Sequence, residues 1–347
     1  MKRFSFSLLL IIIFAMSSCV KEHNFELIKT NEYEVIFDNC GYGEEFEKLS
    51  NCDKLPNVLP ILFEDGYQFD GWYLDKEYTR KVYGGESIEI NTTLYAKWIS
   101  VEVTSGLEFV LSSDGLYYIL ISAYECKDSN IVIPSHYENT PVKYIGEQVF
   151  ENNQIIESVM IPSTVEKISD YAFSNCDNLK TLIVGKGLKE VEKYAFCNCP
   201  NLEKIIVDSK NTVLDSRENC NAIIETATNN LLIGCKGTII PNSVRSVGKY
   251  AFYGSGLTYI NIPNGVVKIS GYAFHSCSSL EKICIPETLT TIDLFAFVGC
   301  SVLYEVYNNS NLDLSDSNEN GKISANATNI YNKGEWHYVD GLPVPIR

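Results

Sequence analysis

The sequence is poor in basic residues. It contains 28 Lys and Arg against 44 Asp and Glu, for a net charge of −16 over 347 residues, and no Lys/Arg run occurs beyond the N-terminus. Binding to nucleic acid or to an anionic membrane surface requires clustered positive charge. The composition therefore predicts no nucleic-acid partner and no membrane contact through surface charge. It favours solubility outside a cell.

Signatures of catalysis are also missing. The four histidines share no spacing with one another or with an acidic partner; they are His23, His136, His275 and His337. There is no His-Glu-x-x-His, Gly-x-Ser-x-Gly, phosphate loop or dinucleotide fingerprint. We therefore expect no enzyme activity, no catalytic residue, no cofactor and no metal site. A hydrolase of unrecognised type stays open, because a glycosidase-like pair of carboxylates has no fixed spacing in sequence.

No apolar stretch is long enough to cross a bilayer. The only candidate, Leu8 to Phe14, follows Lys2 and Arg3 and precedes Ala15-Met16-Ser17-Ser18-Cys19. This layout is typical of a signal peptide. It resembles the lipobox of bacterial lipoproteins, which implies cleavage after residue 18, lipidation of Cys19 and a tether over 19–31.

Val20 resembles an outer-membrane sorting signal. We therefore expect an exported, lipid-anchored protein at the outer membrane or cell surface, touching the membrane through its anchor only. An ordinary secretory signal is the alternative.

Residues 32–99 alternate aromatic and polar positions between turn signals, which indicates short half-buried strands. The strings Gly66 to Tyr73 and Thr93 to Trp98 resemble the internalin-type B-repeat, or Listeria–Bacteroides repeat. That resemblance implies a small β-grasp-like domain acting as a spacer or adhesive unit. Trp72 and Trp98 are interpreted as core anchors rather than ligand platforms.

From about residue 107 the chain repeats itself. A Phe after a small residue recurs at spacings of 22 or 23 residues, with one spacing of 56; the positions are Phe150, Phe173, Phe196, Phe252, Phe274 and Phe297. Aliphatic residues recur eight and five positions before each Phe and five or six after it. Such columns predict stacked coils that bury their apolar sides against each other in one continuous core.

These columns resemble BspA-like leucine-rich repeats, in which Ile-Pro and Tyr-Ala-Phe elements recur, as at Ile161-Pro162 and Tyr171-Ala172-Phe173. The resemblance implies a mainly β fold, a right-handed solenoid of about 23-residue coils over 107–330. It also implies an insertion near 208–238, interpreted as a hairpin. Residues 331–347 form a C-terminal tail that is either docked or frayed.

Twelve cysteines are present, and eleven besides Cys19 cannot all pair. Cys176, Cys199, Cys277 and Cys300 each follow a repeat Phe by three residues, which favours a buried packing column. Tetrahedral zinc needs ligands that converge on one point, which stacked coils do not provide. A two-residue turn at Ala227-Thr228 would bring Cys220 opposite Cys235, a possible disulfide. Cys40 with Cys52 is a weaker candidate.

In Leu-x-x-Ile-x-Ile strands the first, fourth and sixth residues point inward and the others outward. One outward column is unusually apolar for a solvent-facing sheet, which can mark an interaction site. Strand propensity alone is the competing explanation. The candidate binding face comprises Met160, Ile183, Ile206, Tyr259, Lys282, Tyr304 and Tyr307.

We expect this face to bind a macromolecule, a protein or glycan on another cell or host matrix, in adhesion or protein–protein interaction. Glycan binding within a polysaccharide-handling system is the alternative, and it predicts that Tyr259, Tyr304 and Tyr307 form an aromatic platform. The identity of the ligand, the membrane face and the oligomeric state stay open at this point.

Overall fold

The computed structural model describes residues 33–42, 45–316 and 319–346. The predicted signal peptide, Cys19 and the tether lie outside these residues. Among the helices of the described part, none combines the length and the apolar character needed to cross a membrane.

The N-terminal sheet has four strands: β1 (Tyr33–Asp38), β2 (Leu49–Cys52), β3 (Tyr67–Tyr73) and β4 (Thr92–Ser100). Their order is β2-β1-β4-β3, with a parallel central pair and antiparallel outer pairs, which is a β-grasp-like arrangement. Trp72 is 1% exposed and lies edge-on to Phe37 at 4.9 Å between ring centroids. It is the predicted core anchor, whereas Trp98 is only half-buried.

The first block of coils contributes two sheets. The strands are β5 (Glu108–Leu111), β6 (Tyr118–Ser122), β7 (Asn130–Val132), β8 (His136–Tyr137), β9 (Thr140–Ile145), β10 (Ser158–Ile161), β11 (Lys167–Ile168), β12 (Thr181–Val184), β13 (Glu190–Val191) and β14 (Lys204–Val207). Parallel strands β7, β10, β12 and β14 form the first outer sheet. Strands β5, β6, β9, β11 and β13 form the first flanking sheet, with β8 paired to β9.

The second block follows an insertion and repeats the arrangement. Its strands are β15 (Leu214–Asp215), β16 (Ala222–Glu225), β17 (Asn230–Gly234), β18 (Ser246–Val247), β19 (Tyr259–Asn261), β20 (Lys268–Ile269), β21 (Lys282–Ile285), β22 (Thr291–Ile292), β23 (Glu305–Asn308) and β24 (Asn329–Tyr331). Strands β19, β21, β23 and β24 form the second outer sheet, and β15 to β18, β20 and β22 form the second flanking sheet. A 3₁₀ turn spans Arg217–Asn219, and another, Asn320–Lys322, precedes the short helix α1 (Ile323–Asn326).

The coils form because one set of apolar residues faces inward in every turn. In the coil from Leu179, the predicted inward residues Leu179, Leu182 and Val184 are all 0% exposed. The repeat Phe rings stack almost parallel, as Phe150 on Phe173 at 4.9 Å and Phe173 on Phe196 at 5.0 Å. This burial between neighbouring coils, at roughly 1.5–3 kcal/mol for each large side chain, confirms the solenoid.

The cysteine column packs inside this core and adds a polar contact between coils. Each buried thiol donates to the carbonyl of the repeat Phe one coil earlier: Cys176 to Phe150 at 3.1 Å, Cys199 to Phe173 at 3.1 Å, Cys277 to Phe252 at 2.9 Å and Cys300 to Phe274 at 3.1 Å. The column is therefore a packing column, as the spacing predicts.

A left-handed residue closes each turn two positions after the repeat Phe. In the first block it is an asparagine, with φ between 55° and 59° at Asn152, Asn175 and Asn198. Asparagine tolerates this conformation better than most residues. The side-chain amides form a ladder, with Nδ2 of Asn175 and of Asn198 each 2.9 Å from the Oδ1 one coil earlier.

The insertion interrupts the core, so the prediction of one continuous core is wrong at this point. Strands β16 and β17 form the expected hairpin, although its turn is four residues, 226–229, rather than two. Ile223 and Ile233 pack into the core of the first block, whereas Ile224 and Leu231 pack into that of the second. The hairpin thus separates two cores and contacts both.

The C-terminal tail is docked rather than frayed, because Trp336 packs in a small buried cluster with Cys284 and Tyr307. Leu314 and Ile323 enter the core of the second block, and β24 adds a final strand to the second outer sheet. Strands β25 (Trp336–Val339) and β26 (Leu342–Pro345) then form an antiparallel hairpin, called the C-terminal hairpin here.

Candidate binding surface

The predicted outward columns exist, and the parallel register places their members side by side. Met160, Ile183 and Ile206 are direct neighbours on β10, β12 and β14. Tyr259 and Lys282 are neighbours on β19 and β21.

The expectation that the whole column faces solvent is wrong at both ends. Met160 is 8% exposed and Tyr307 is 1% exposed, and Cys284, beside Tyr307, is 2% exposed. Their side chains do point away from the coil cores, but other segments of the same chain cover them. The outer sheet faces are therefore partly internal surfaces.

The first outer sheet lies against the N-terminal sheet. Asp65, in the loop before β3, accepts hydrogen bonds from the Ser163 amide at 2.9 Å and from the Ser163 hydroxyl. A cavity of about 290 Å³ remains between the two sheets, lined by Gln68 of β3 and by Met160 and Ile183 of the first outer sheet, among others. The contact is polar and leaves space.

A larger cleft of about 670 Å³ opens over β14. One wall is apolar and consists of Phe46 with Val58 to Ile61. The floor is β14 itself, where Ile206 is half-buried and Lys204 is exposed. The far wall is the segment from Asp215 to Asn219 with Asn221. A concave site of this size with an apolar wall and a few polar groups has the usual character of a binding site.

An ion pair stiffens the far wall. Nε of Arg217 donates to Oδ1 of Asp215 at 2.7 Å, and Nη1 donates to Oδ1 of Asn229 at 2.7 Å. Burial alone would raise the pKa of Asp215, but the hydrogen bonds and charge of Arg217 hold it below its usual value. The Asp215 carboxylate is therefore kept charged and fixed at the rim of the cleft.

The second outer sheet is closed by the C-terminal hairpin. Trp336 packs edge-on against Tyr307 at 5.3 Å, and the Tyr338 hydroxyl donates to Oδ1 of Asn261 at 3.3 Å. Beneath them the Tyr259 hydroxyl lies 3.6 Å from the Cys284 sulfur. Burial raises the pKa of the Cys284 thiol and raises that of Tyr338 to about 12.

The structure does not form the aromatic platform that the glycan alternative requires. Tyr259 and Tyr307 lie under the hairpin, whereas Tyr304 stays 36% exposed. The Lys282 ammonium lies 5.5 Å from the Tyr304 ring centroid and pairs with Glu305 at 2.8 Å. Tyr304 and Lys282 thus form a separate small surface site beside the covered tyrosines.

Sequence reasoning missed a row of aromatic residues along the turns. Tyr171 stacks on Tyr194 at 4.9 Å and Tyr250 on Tyr272 at 5.3 Å, while the tilted rings of Tyr194 and Tyr250 are in contact at 4.3 Å between centroids. The hydrogen bond between the Tyr194 and Tyr250 hydroxyls, 2.7 Å long, raises the pKa of Tyr194 to about 12 and spans the insertion. The signal was present, because each tyrosine stands two residues before a repeat Phe.

The proposed disulfides are not formed. Cys220, Cys235, Cys40 and Cys52 are all free thiols. A register shift between Ile223 and Ile224 brings Cys235 against Asn221, whose carbonyl accepts from the thiol at 3.3 Å. As a result Cys220 and Cys235 lie in different cores.

Within residues 33–42, 45–316 and 319–346, no cluster of three or more His, Cys, Asp or Glu could hold a metal ion. His275 is half-buried and stacked on Tyr253 at 4.8 Å, and burial lowers its pKa. It therefore packs rather than projecting freely from the surface.

The geometry defines a leucine-rich-repeat solenoid with a cleft and a covered sheet, a class that serves as a binding scaffold. Residues 119–231 and 229–330 match the BspA type leucine rich repeat region in six copies. Because that match covers more than half of the chain, the protein belongs to the BspA type leucine-rich-repeat family. Residues 33–97 match the Listeria-Bacteroides repeat domain.

Several solved structures are similar. A leucine-rich repeat protein from Eubacterium ventriosum is 20% identical, with 60% of this chain and 72% of that one covered and a TM-score of 0.36. The pneumococcal vaccine antigen PcpA is 18% identical, with 64% and 65% covered and a TM-score of 0.39. A leucine rich cell surface protein from Faecalibacterium prausnitzii is 17% identical, with 66% and 99% covered and a TM-score of 0.21. No curated protein matches the chain.

Proposed function

We propose that this protein is an exported lipoprotein, anchored through Cys19, that binds a protein partner outside the cell through the cleft over β14. The N-terminal domain holds the solenoid away from the membrane, and its loop residues Phe46 and Val58 to Ile61 supply one wall of the binding site. The two repeat families and the signal-like N-terminus support export. Within the candidate face, the proposal therefore selects Ile206 and the other residues that line this cleft.

The cleft carries this proposal. It is about 670 Å³, and it combines apolar side chains at Val58 to Ile61 and Ile206 with the charges of Lys204 and Arg217. Protein interfaces place an apolar anchor at the centre and polar groups at the rim. An apolar side chain of a partner would fill the cleft, while its polar groups meet the rim.

Ile206→Arg tests the site, because it places a charge on the floor of the cleft. Immobilised extracellular-matrix and cell-surface proteins are screened with the full-length chain, and each binder is titrated with both forms. We expect a loss of at least about tenfold in affinity, or about 1.4 kcal/mol. Val267→Arg, at a residue 43% exposed beside β20, is the matched control and should bind normally.

Equal losses in both variants, or none in Ile206→Arg, would remove the cleft from the proposal. Binding confined to a glycan array would favour the glycan alternative. Protease shaving of intact cells tests the location separately. A protein that resists cleavage on whole cells but is cut after lysis has no access to outside partners.

A further inference from the structure

Strand β5 is an unprotected sheet edge at the start of the solenoid. It ends the first flanking sheet and pairs only with β6 among the strands of the described residues. Val110 is 44% exposed and Leu111 is 45% exposed, and nearby Leu116 and Ile121 are 67% and 47% exposed. An exposed apolar edge is a template for pairing with another strand.

Two other edges of the solenoid are covered. Thr104 closes the edge of β7, since its amide donates to the Val132 carbonyl at 3.0 Å and its hydroxyl accepts from the Val132 amide at 2.8 Å. At the far end, Gly321 lies so close to β22 that an added Cβ would fall 2.9 Å from Cγ2 of Ile292. β5 also lacks the usual protective charges, because Glu108 is the only ionisable residue from 105 to 113.

The backbone alternation shows which groups are open. The Ser112 amide donates to the Tyr117 carbonyl at 2.8 Å, and Val110 opposes Ile119 two residues further along the same ladder. In an antiparallel pair, alternate residues bond to the partner strand and the residues between them point away. The amides and carbonyls of Phe109 and Leu111 therefore face outward.

We propose that β5 is a self-association edge, at which two copies of the chain pair antiparallel across a twofold axis. Phe109 of one protomer then opposes Leu111 of the partner subunit, which satisfies both outward N–H groups and both outward carbonyls of each strand. Val110 meets its own symmetry mate. Glu108 opposes Ser112 of the partner subunit, so the carboxylates do not meet, and the edge is complementary to itself.

The size and charge of the molecule set how this dimer behaves. A four-residue strand alone buries less than the ~1,200 Å² of a stable complex, so the dimer is weak and depends on concentration. Each copy carries a net charge of −16, and salt screens the electrostatic repulsion between two copies. Added salt therefore strengthens this association, whereas it would weaken binding to a basic partner.

Disulfide trapping tests the twofold register. Val110→Cys is made in the full chain carrying Cys19→Ser, Cys40→Ser and Cys52→Ser, because the remaining cysteines are buried. Paired residues of this kind have Cβ atoms about 4.5–5.5 Å apart, within reach of a disulfide. Under mild oxidation we expect a covalent dimer that forms faster at high salt. Leu294→Cys, at a residue 67% exposed near the opposite end, is the collision control.

Leu111→Pro provides the second measurement. It removes an outward N–H and leaves the bonds between β5 and β6 in place. In analytical ultracentrifugation we expect the unmodified chain to shift toward dimer at high concentration while Leu111→Pro stays monomeric with an unchanged melting temperature. Equal crosslinking of the Val110→Cys and Leu294→Cys variants, or an unmodified chain that stays monomeric, would overturn the proposal. So would pairing of β5 with another protein only.

Discussion

The two outer sheets are built from the same coils, but they are covered in different ways. The first meets the N-terminal sheet through the polar contact of Asp65 with Ser163 and keeps a cleft of about 670 Å³. The second lies under Trp336, which leaves Tyr307 1% exposed and Cys284 2% exposed. An aromatic cover excludes water and completes the fold, whereas a polar cover with gaps leaves room for a partner.

The largest expected effect is on the aromatic cover. Trp336→Ala removes a ring that is 9% exposed, a change worth about 3 kcal/mol in a core. We expect the C-terminal hairpin to open more often and Cys284 to be labelled by a thiol reagent about a hundredfold faster, following the tenfold for each 1.4 kcal/mol.

Trp336→Phe is the matched control. It keeps an aromatic ring and deletes Nε1, which is buried without a hydrogen-bond partner in the described part of the chain. Removal of an unsatisfied group costs little. Labelling of Cys284 should therefore stay slow in this variant. Equal labelling in the Ala and Phe variants would show that the hairpin does not depend on the ring.

A smaller effect is expected at the polar cover. Asp65→Ala removes two hydrogen bonds to a carboxylate, worth about 1.5–3 kcal/mol when buried and less at this partly exposed contact. Loosening of the N-terminal sheet should expose Met160, the only methionine after residue 16. Its oxidation by peroxide, followed by mass spectrometry, should accelerate by about tenfold.

Exposed Glu89→Ala should leave the oxidation of Met160 unchanged. Asp65→Ala should change only the oxidation of Met160, and Trp336→Ala should change only the labelling of Cys284. Faster labelling of Cys284 in Asp65→Ala would mean that the two covers are coupled, which would break the comparison between them.

The smallest effect concerns a feature shared by the coils rather than the covers. Glu166 pairs with Lys143 and Lys189 of the neighbouring coils, each at 2.8 Å. The hydrogen bonds from Lys143 and then Lys189 lower the pKa of Glu166. Its contribution to stability is therefore present above the pKa of the unfolded chain and is lost as the pH falls through the folded value.

We expect Glu166→Gln to cost less than about 1 kcal/mol at pH 7, the usual size for pairs at a surface. Denaturant titrations at pH 7 and pH 3 should show the difference shrinking at the lower pH. Asp293→Asn, which breaks a single ion pair with Lys268 at 2.7 Å, should cost less still. A loss from Glu166→Gln that persists at pH 3 would contradict the assignment to charge.

The sequence alone predicts the coils of the solenoid, but it does not predict which segments cover the two outer sheets. Burial recurs once per coil, so the inward columns and the thiol column could be read from spacing alone. Contacts such as Asp65 with Ser163 join residues 98 positions apart and follow no repeat. For that reason the sequence predicts Met160 and Tyr307 as exposed, whereas both side chains are buried. The register shift at Ile223, which separates Cys220 from Cys235, likewise has no signal in the spacing.

The inserted hairpin has a consequence for how the solenoid loses its structure. Neighbouring residues Ile223 and Ile224 belong to different cores, so neither block can melt without uncovering one side of the hairpin. In other repeat proteins each repeat contacts only its neighbours, so unfolding can proceed from one repeat to the next. We therefore expect the shared hairpin to couple the two blocks, so that they unfold as one cooperative unit.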